Sequence, residues 1–267
     1  MSAGWSLDGR TALVTGGSRG LGFAVAEALL QRGAKVAIIS RNDADVKAAA
    51  ARLDSDGSKV LPIIADVTDD DSVKAALAQV QGWQGRLDIL VNNAGPQLAP
   101  SPVVDADESA IIATFNTKLL GFLRVSRAAL AALSESGKGS IVNVAGATAH
   151  VPVPNTGVTG IVNASVVALT SFLAGEAAPK NVRVNAISPG MTKTEGWLAK
   201  NEAAAAQQDI SADEVRAGVV KALGIRLGRW AEPAEIGAAA AFLASDDASY
   251  VTGQVLRVDG GLSKPVA

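Results

Sequence analysis

The 267-residue sequence has no cysteine, one histidine, one tyrosine and only 4% aromatic residues. Without cysteine there can be no disulfide, thiolate nucleophile or thiolate-bound metal, and the composition is that expected of a reducing, cytoplasmic compartment. A single histidine rules out a multi-histidine site, so no metal is expected. Charge of one sign is also lacking: 24 basic and 26 acidic side chains leave a net charge of -2. No basic block is present to neutralise a run of phosphates or hold an anionic lipid surface, so neither nucleic acid nor a membrane is an expected partner. The opening segment "MSAGWSLDGR" has no basic stretch followed by an apolar one and is not read as a signal peptide. Residues 139 to 175 carry no Asp, Glu, Lys or Arg, but Pro152, Pro154, Asn155 and Gly157 interrupt them. Neither part supplies the roughly 20 apolar residues of a membrane span. A buried strand, a loop and a buried helix are expected there instead.

What is present is a regular alternation. Short β-branched runs stand at 11–15, 35–40, 60–65, 87–93, 140–145, 182–188 and 254–259, several of them almost continuously apolar, as strands covered on both faces should be. Ala- and Leu-rich helical stretches lie between them at 21–32, 43–53, 71–81, 108–134, 158–177 and 232–244. This pattern predicts an α/β fold: one doubly wound parallel sheet of about seven strands with helices on both faces, spanning 1–267 as a single domain. The polar, Ala-rich segment at about 191–230 departs from the alternation and reads as a helical lid over whatever the sheet binds.

The first strand runs directly into "TGGSRGLG", residues 15–22, and then into a helix. Gly16, Gly20 and Gly22 open this turn so that backbone N–H groups, with Ser18, Arg19 and Leu21 beside them, can cradle a pyrophosphate at the positive end of the helix. The spacing is G-x-x-x-G-x-G rather than the G-x-G-x-x-G dinucleotide fingerprint. A carboxylate after the second strand would accept from a ribose 2′-hydroxyl, whereas a 2′-phosphate needs cations there. This chain has Ser40 and Arg41 at that place, and Arg19 can reach the same phosphate with a guanidinium fork. NADP(H) is therefore preferred over NAD(H), although Asp43 nearby leaves room for NAD(H).

From this turn onward the chain resembles the short-chain dehydrogenase/reductase family, and the family's motifs arrive in order: "ADV" at 65–67, "NNAG" at 92–95, Asn116 in "FNTKLLG", "SPGMTKT" at 188–194 and a closing signature over 228–261. The resemblance implies a Rossmann-type fold and a nicotinamide cofactor contacted by Asp66, Val67, Asn93, Ala94, Gly95, Pro189, Gly190, Thr192 and Thr194. It also implies a small-molecule substrate, and pairing of the uncharged helix after Gly157 with its counterpart in a homodimer or homotetramer.

The same resemblance exposes a gap. The family's tyrosine donor, its lysine four residues later and its upstream serine fall at Thr159, Asn163 and Gly146, counted back without a gap from residues 174–190. The one tyrosine, Tyr250, lies near the carboxy terminus, and Lys118 and Lys180 read as ordinary surface or helix-end charges. Loss of a positioned proton donor costs about 10²- to 10⁴-fold, and loss of an oxyanion donor roughly 3 to 4 kcal/mol. Thr159 can bond a substrate oxygen but has no accessible acidity, while Asn163 can still bond a ribose hydroxyl. His150 is the best acid on offer, against the alternative of an exposed loop residue. The candidate catalytic set is accordingly Asn116, His150, Thr159 and Asn163. Three readings stay open: an atypical NADPH-dependent oxidoreductase, an inactive cofactor-binding sensor or partner subunit, and a non-redox enzyme. For the first, an iminium C=N, already cationic, needs less from the missing acid than a C=O. Trp197, Lys193 and Lys200 in the lid are set where they can meet an acidic group on the substrate, against the commoner alternative that charges in such a helical segment are solvated, and the substrate itself is not readable from the sequence.

Overall fold

The computed structural model describes residues 5–96 and 98–263. Seven strands, β1 (Thr11–Thr15), β2 (Lys35–Ser40), β3 (Val60–Ile64), β4 (Ile89–Asn92), β5 (Gly139–Val144), β6 (Val182–Pro189) and β7 (Val255–Val258), form one sheet in the order β3-β2-β1-β4-β5-β6-β7. Every pairing is parallel, from Thr11 opposite Lys35 to Pro189 opposite Val258. The β1 and β5 residues are buried throughout, as β-branched runs covered on two faces require. One apolar layer joins Val14, Ile38 and Ile89 to helix α1 (Gly20–Leu30) and helix α9 (Pro233–Ala244). The opposite layer joins Leu13, Leu90 and Ile141 to α3 (Asp70–Gln84) and to α5 (Gly121–Glu135). The two layers enclose the sheet as a single unit.

Local chemistry sets the helix ends. The Asn42 side chain accepts from the Asp45 N–H ahead of α2 (Asp43–Leu53), and Asp69 accepts from the Ser72 N–H ahead of α3, each satisfying a donor that has no partner inside the helix. Gly85 ends α3 at φ 69°, a left-handed turn that glycine makes without strain. The predicted helix over 108–134 is divided. It forms α4 (Glu108–Thr114), a π-helical turn over Phe115–Leu120, and α5. The uncharged stretch forms β5, a loop with one 3₁₀ turn, and α6 (Gly157–Ala177). Val158, Val162, Val166 and Leu173 of α6 are buried, although the helix is long and apolar enough to cross a membrane by composition. In the segment expected as a lid, α7 (Glu195–Gln208) and α8 (Ala212–Leu223) form a helical pair.

The order of the sheet positions the site. Neighbours β1 and β4 carry their crossovers to opposite sides, leaving a crevice at the carboxyl ends of the strands where open α/β sheets bind ligands.

Candidate functional site

A cleft of about 660 Å³ opens at that crevice. Its floor is the glycine turn. A Cβ on Gly22 would fall within the Gly16 carbonyl and 2.5 Å from Asn93 Nδ2, and Gly16 itself has φ +64°, so the turn closes only with glycine at both places. Asn93 braces it from β4, donating through Nδ2 to the carbonyls of Thr15 and Gly16, both at 3.1 Å. The Thr15 hydroxyl in turn accepts from the backbone N–H of Asn93 and Ala94. Residue 93 thus shapes the turn as well as facing the cleft. Arg19 precedes α1 without a side-chain cap and the first turn of α1 contains no acid, which leaves its amide donors and positive dipole end open to an anion.

Every residue expected to contact the cofactor lines this cleft except Pro189, which is buried at the end of β6. Arg19 and Arg41 are exposed and, among the described residues, form no ion pair. Asp66 is held by the Thr68 N–H and hydroxyl, both donating to Oδ1, which leaves Oδ2 without a bond among the described residues.

Of the four candidate catalytic residues the structure brings two together. Thr159 and Asn163 line the cleft. Asn116 does not, because the face of the α4 to α5 helix on the cleft runs through Ala113, Thr114, Thr117 and Lys118, and a helical spacing turns Asn116 off that stripe. Its Oδ1 accepts from Arg124 at 3.5 Å instead. His150 also lies away from the lining. Its Nε2 is enclosed without a partner among the described residues, and burial together with Arg257 holds its pKa below that of an ordinary histidine. Tyr250 is fully exposed. In the 191–230 segment, Trp197 faces the cleft, Lys193 pairs with Glu232 at 2.5 Å, and Lys200 lies 5.0 Å over the Trp197 ring.

One expectation from the sequence is overturned. Lys118 is no surface charge: it lines the cleft, and its Nζ donates to Asn163 Oδ1 at 2.6 Å and to the Ala145 carbonyl at 3.0 Å. Burial alone pushes its pKa down from 10.5 to about 8. Because lysine only donates, the Asn163 oxygen must face it, and Asn163 Nδ2 then donates to Thr148 Oγ1 at 2.8 Å. Gly146 makes room for this arrangement, since a Cβ there would lie 2.5 Å from Asn163 Nδ2. Gly146, Asn163, Thr148 and Lys118 are therefore one interlocked unit. The sequence contained one usable signal of it: Ala113, Thr114, Thr117 and Lys118 fall on a single helical stripe that is too polar for a core and too short-chained for a solvated face.

Residues 16–263 match the family described as enoyl-(acyl carrier protein) reductase. The chain is 34% identical over 257 residues to an uncharacterized oxidoreductase of Methylorubrum extorquens, covering 96% of this chain and 98% of that one. It is similar in structure to L-sorbose reductase from Gluconobacter frateurii, solved with NADPH and L-sorbose, with a TM-score of 0.93 at 27% identity over 98% of this chain and 99% of the other. A short-chain type dehydrogenase/reductase from Mycobacterium marinum superposes with a TM-score of 0.86 at 32% identity, covering 98% of both chains.

Proposed function

The chain belongs to the short-chain dehydrogenase/reductase family, and from that premise we propose that it is an NADPH-dependent oxidoreductase with an altered active site, transferring hydride to a C=O or C=N substrate. The observation that carries this reading is the cleft itself: a turn that closes only with glycine at 16 and 22, with Arg19 and Arg41, exposed and without an ion pair among the described residues, at the end where a 2′-phosphate would sit. The donor set fits a phosphorylated dinucleotide. Open amides at the start of α1 suit the pyrophosphate, Asp66 Oδ2 suits the adenine amine, and two guanidinium groups with no carboxylate at Ser40 suit a phosphate rather than a ribose diol. A related reductase carries NADPH in the same fold.

When bound, such a cofactor supplies a hydride. The chain's own residues do the rest. Thr159 and Asn163, to which the resemblance assigns the family's tyrosine and lysine positions, line the cleft, and Trp197 beside them supports the reading of 191–230 as a helical lid that excludes water from the reacting centre. The preference for an imine rested on there being no acid in the cleft, and the Lys118 ammonium removes that reason, so neutral carbonyls stand beside imines as substrates. Ile161 and Phe172, exposed on α6 at 53% and 76%, support self-association through that helix as a homodimer or homotetramer.

The test is oxidation of NADPH, followed by its absorbance, with a cyclic imine and its ketone counterpart, pyrroline and cyclopentanone. Substrate-dependent consumption supports an oxidoreductase. Tight NADPH binding without turnover of either would mark an inactive cofactor-binding protein.

A further inference from the structure

Resting on the reading of the cleft as a reductase site, we propose that the Lys118 ammonium is the catalytic proton donor, delivering a hydrogen from Nζ to the carbonyl oxygen of the substrate in place of the acid that position 159 lacks. An ammonium has three hydrogens. Asn163 Oδ1 and the Ala145 carbonyl accept two of them, and the third has no acceptor among the described residues although Lys118 lines the cleft. Two fixed bonds hold Nζ in one place, with the stem packed 3.5 Å beneath the position of a Gly95 Cβ, so the remaining N–H is presented rather than free to wander.

The surroundings also make that hydrogen acidic. Both acceptors are neutral. The other charged residues of the cleft, Arg19, Arg41, Asp66 and Glu195, contribute nothing to the shift, and desolvation alone brings the amine to about 8. An acid is most effective when its pKa lies near the working pH, which an exposed lysine cannot offer and Lys118 can.

The step balances. A reduced nicotinamide is the hydride source. The carbonyl carbon gains a C–H bond, the π pair moves to oxygen, the Nζ–H bond breaks and an O–H bond forms, leaving an alcohol and a neutral Lys118. The positive charge given up at Nζ reappears on the oxidised ring, so the cleft neither gains nor loses charge. Lys118 retains part of its surface and is reprotonated from water once product leaves. Asn163 is a positioning residue, fixing Nζ through Oδ1 while Thr148 fixes the amide.

The experiment combines three readouts on the full chain, Lys118→Met and Lys118→Arg. ¹³C NMR of labelled lysine should show one resonance titrating near pH 8 that is missing in Lys118→Met; if every lysine titrates near 10.5, the proposal fails. With cyclopentanone as probe, turnover of the unaltered protein should fall as the pH rises through about 8 as the donor loses its proton, and Lys118→Met should lose about 10²- to 10⁴-fold in kcat, measured at saturating NADPH so that any loosening of Asn163 against the cofactor is separated from the chemical step. Lys118→Arg keeps the charge and, once urea unfolding has shown it folded, should be slow without the alkaline decline, because guanidinium does not release its proton in this range. Unchanged kcat, loss confined to NADPH affinity, or NADPH bound without turnover of the ketone would each overturn the proposal. Failure of the unaltered protein to bind NADPH at all would instead overturn the reading beneath it.

Discussion

Replacing Lys118 by Met should change how stability depends on pH, independently of any reaction. Lys118 titrates at about 8 when folded and at 10.5 when unfolded. Between those values the unfolded chain holds a proton that the folded one has released, so stability rises with pH across that window and is independent of Lys118 below it. At about 1.4 kcal/mol per pH unit, the charged amine costs the fold at most about 3 kcal/mol at neutral pH, a cost that vanishes by about pH 10.5. Met removes the charge but orphans Asn163 Oδ1 and the Ala145 carbonyl, each costing about 1 to 3 kcal/mol, so the two proteins should be of similar stability at pH 7. The unaltered protein should then gain on the variant by as much as 3 kcal/mol on going to pH 10.5, about 5 °C in relative Tm for a chain of this size. Urea or thermal unfolding of both proteins at matched pH measures it. Parallel curves, with a constant difference from pH 7 to 10.5, would refute the placement of Lys118 as a buried, unpaired amine.

Gly146→Ser, which puts a serine where the resemblance implies one, should destabilise rather than repair the site, because the new Cβ meets Asn163 Nδ2 at 2.5 Å; overpacking of this kind costs about 1 to 3 kcal/mol, readable by urea unfolding, and the added change Asn163→Ala should recover part of it. Arg41→Asp should weaken NADPH by about tenfold to a hundredfold, the loss of a charge-assisted bond worth about 1.5 to 3 kcal/mol, while improving NADH, which competitive titration would show. Trp230→Ala should cost about 3 to 5 kcal/mol, since Trp230 is 2% exposed, donates through Nε1 to the Arg216 carbonyl and meets the Trp197 ring edge-on at 5.9 Å; protease cleavage confined to 195–223 would reveal a loosened helical pair.

Much of the fold can be read directly from residue order. The seven β-branched runs coincide with the seven strands to within one or two residues because buried parallel strands must be apolar on both faces. That the glycine turn, the arginines and Asp66 share one cleft was equally legible, since each follows the carboxyl end of a strand on the same edge of the sheet. The interlocked unit around Lys118 was not. Apolar periodicity cannot reveal a π-helical turn at Phe115–Leu120, and a lysine in a helix is ordinarily a solvated charge. Its burial depends on Asn163 and Gly146 from two other elements, contacts that sequence spacing does not encode. His150 illustrates the converse: chemistry made it attractive, and a loop geometry invisible in the sequence leaves it outside the cleft lining with Nε2 enclosed.

Each role proposed for the cleft residues requires that the cleft bind a phosphorylated dinucleotide. Calorimetric titration of the purified protein with NADPH and with NADH tests that most directly. Micromolar NADPH binding with distinctly weaker NADH is the predicted result, and binding of neither, or tighter binding of NADH, would contradict it.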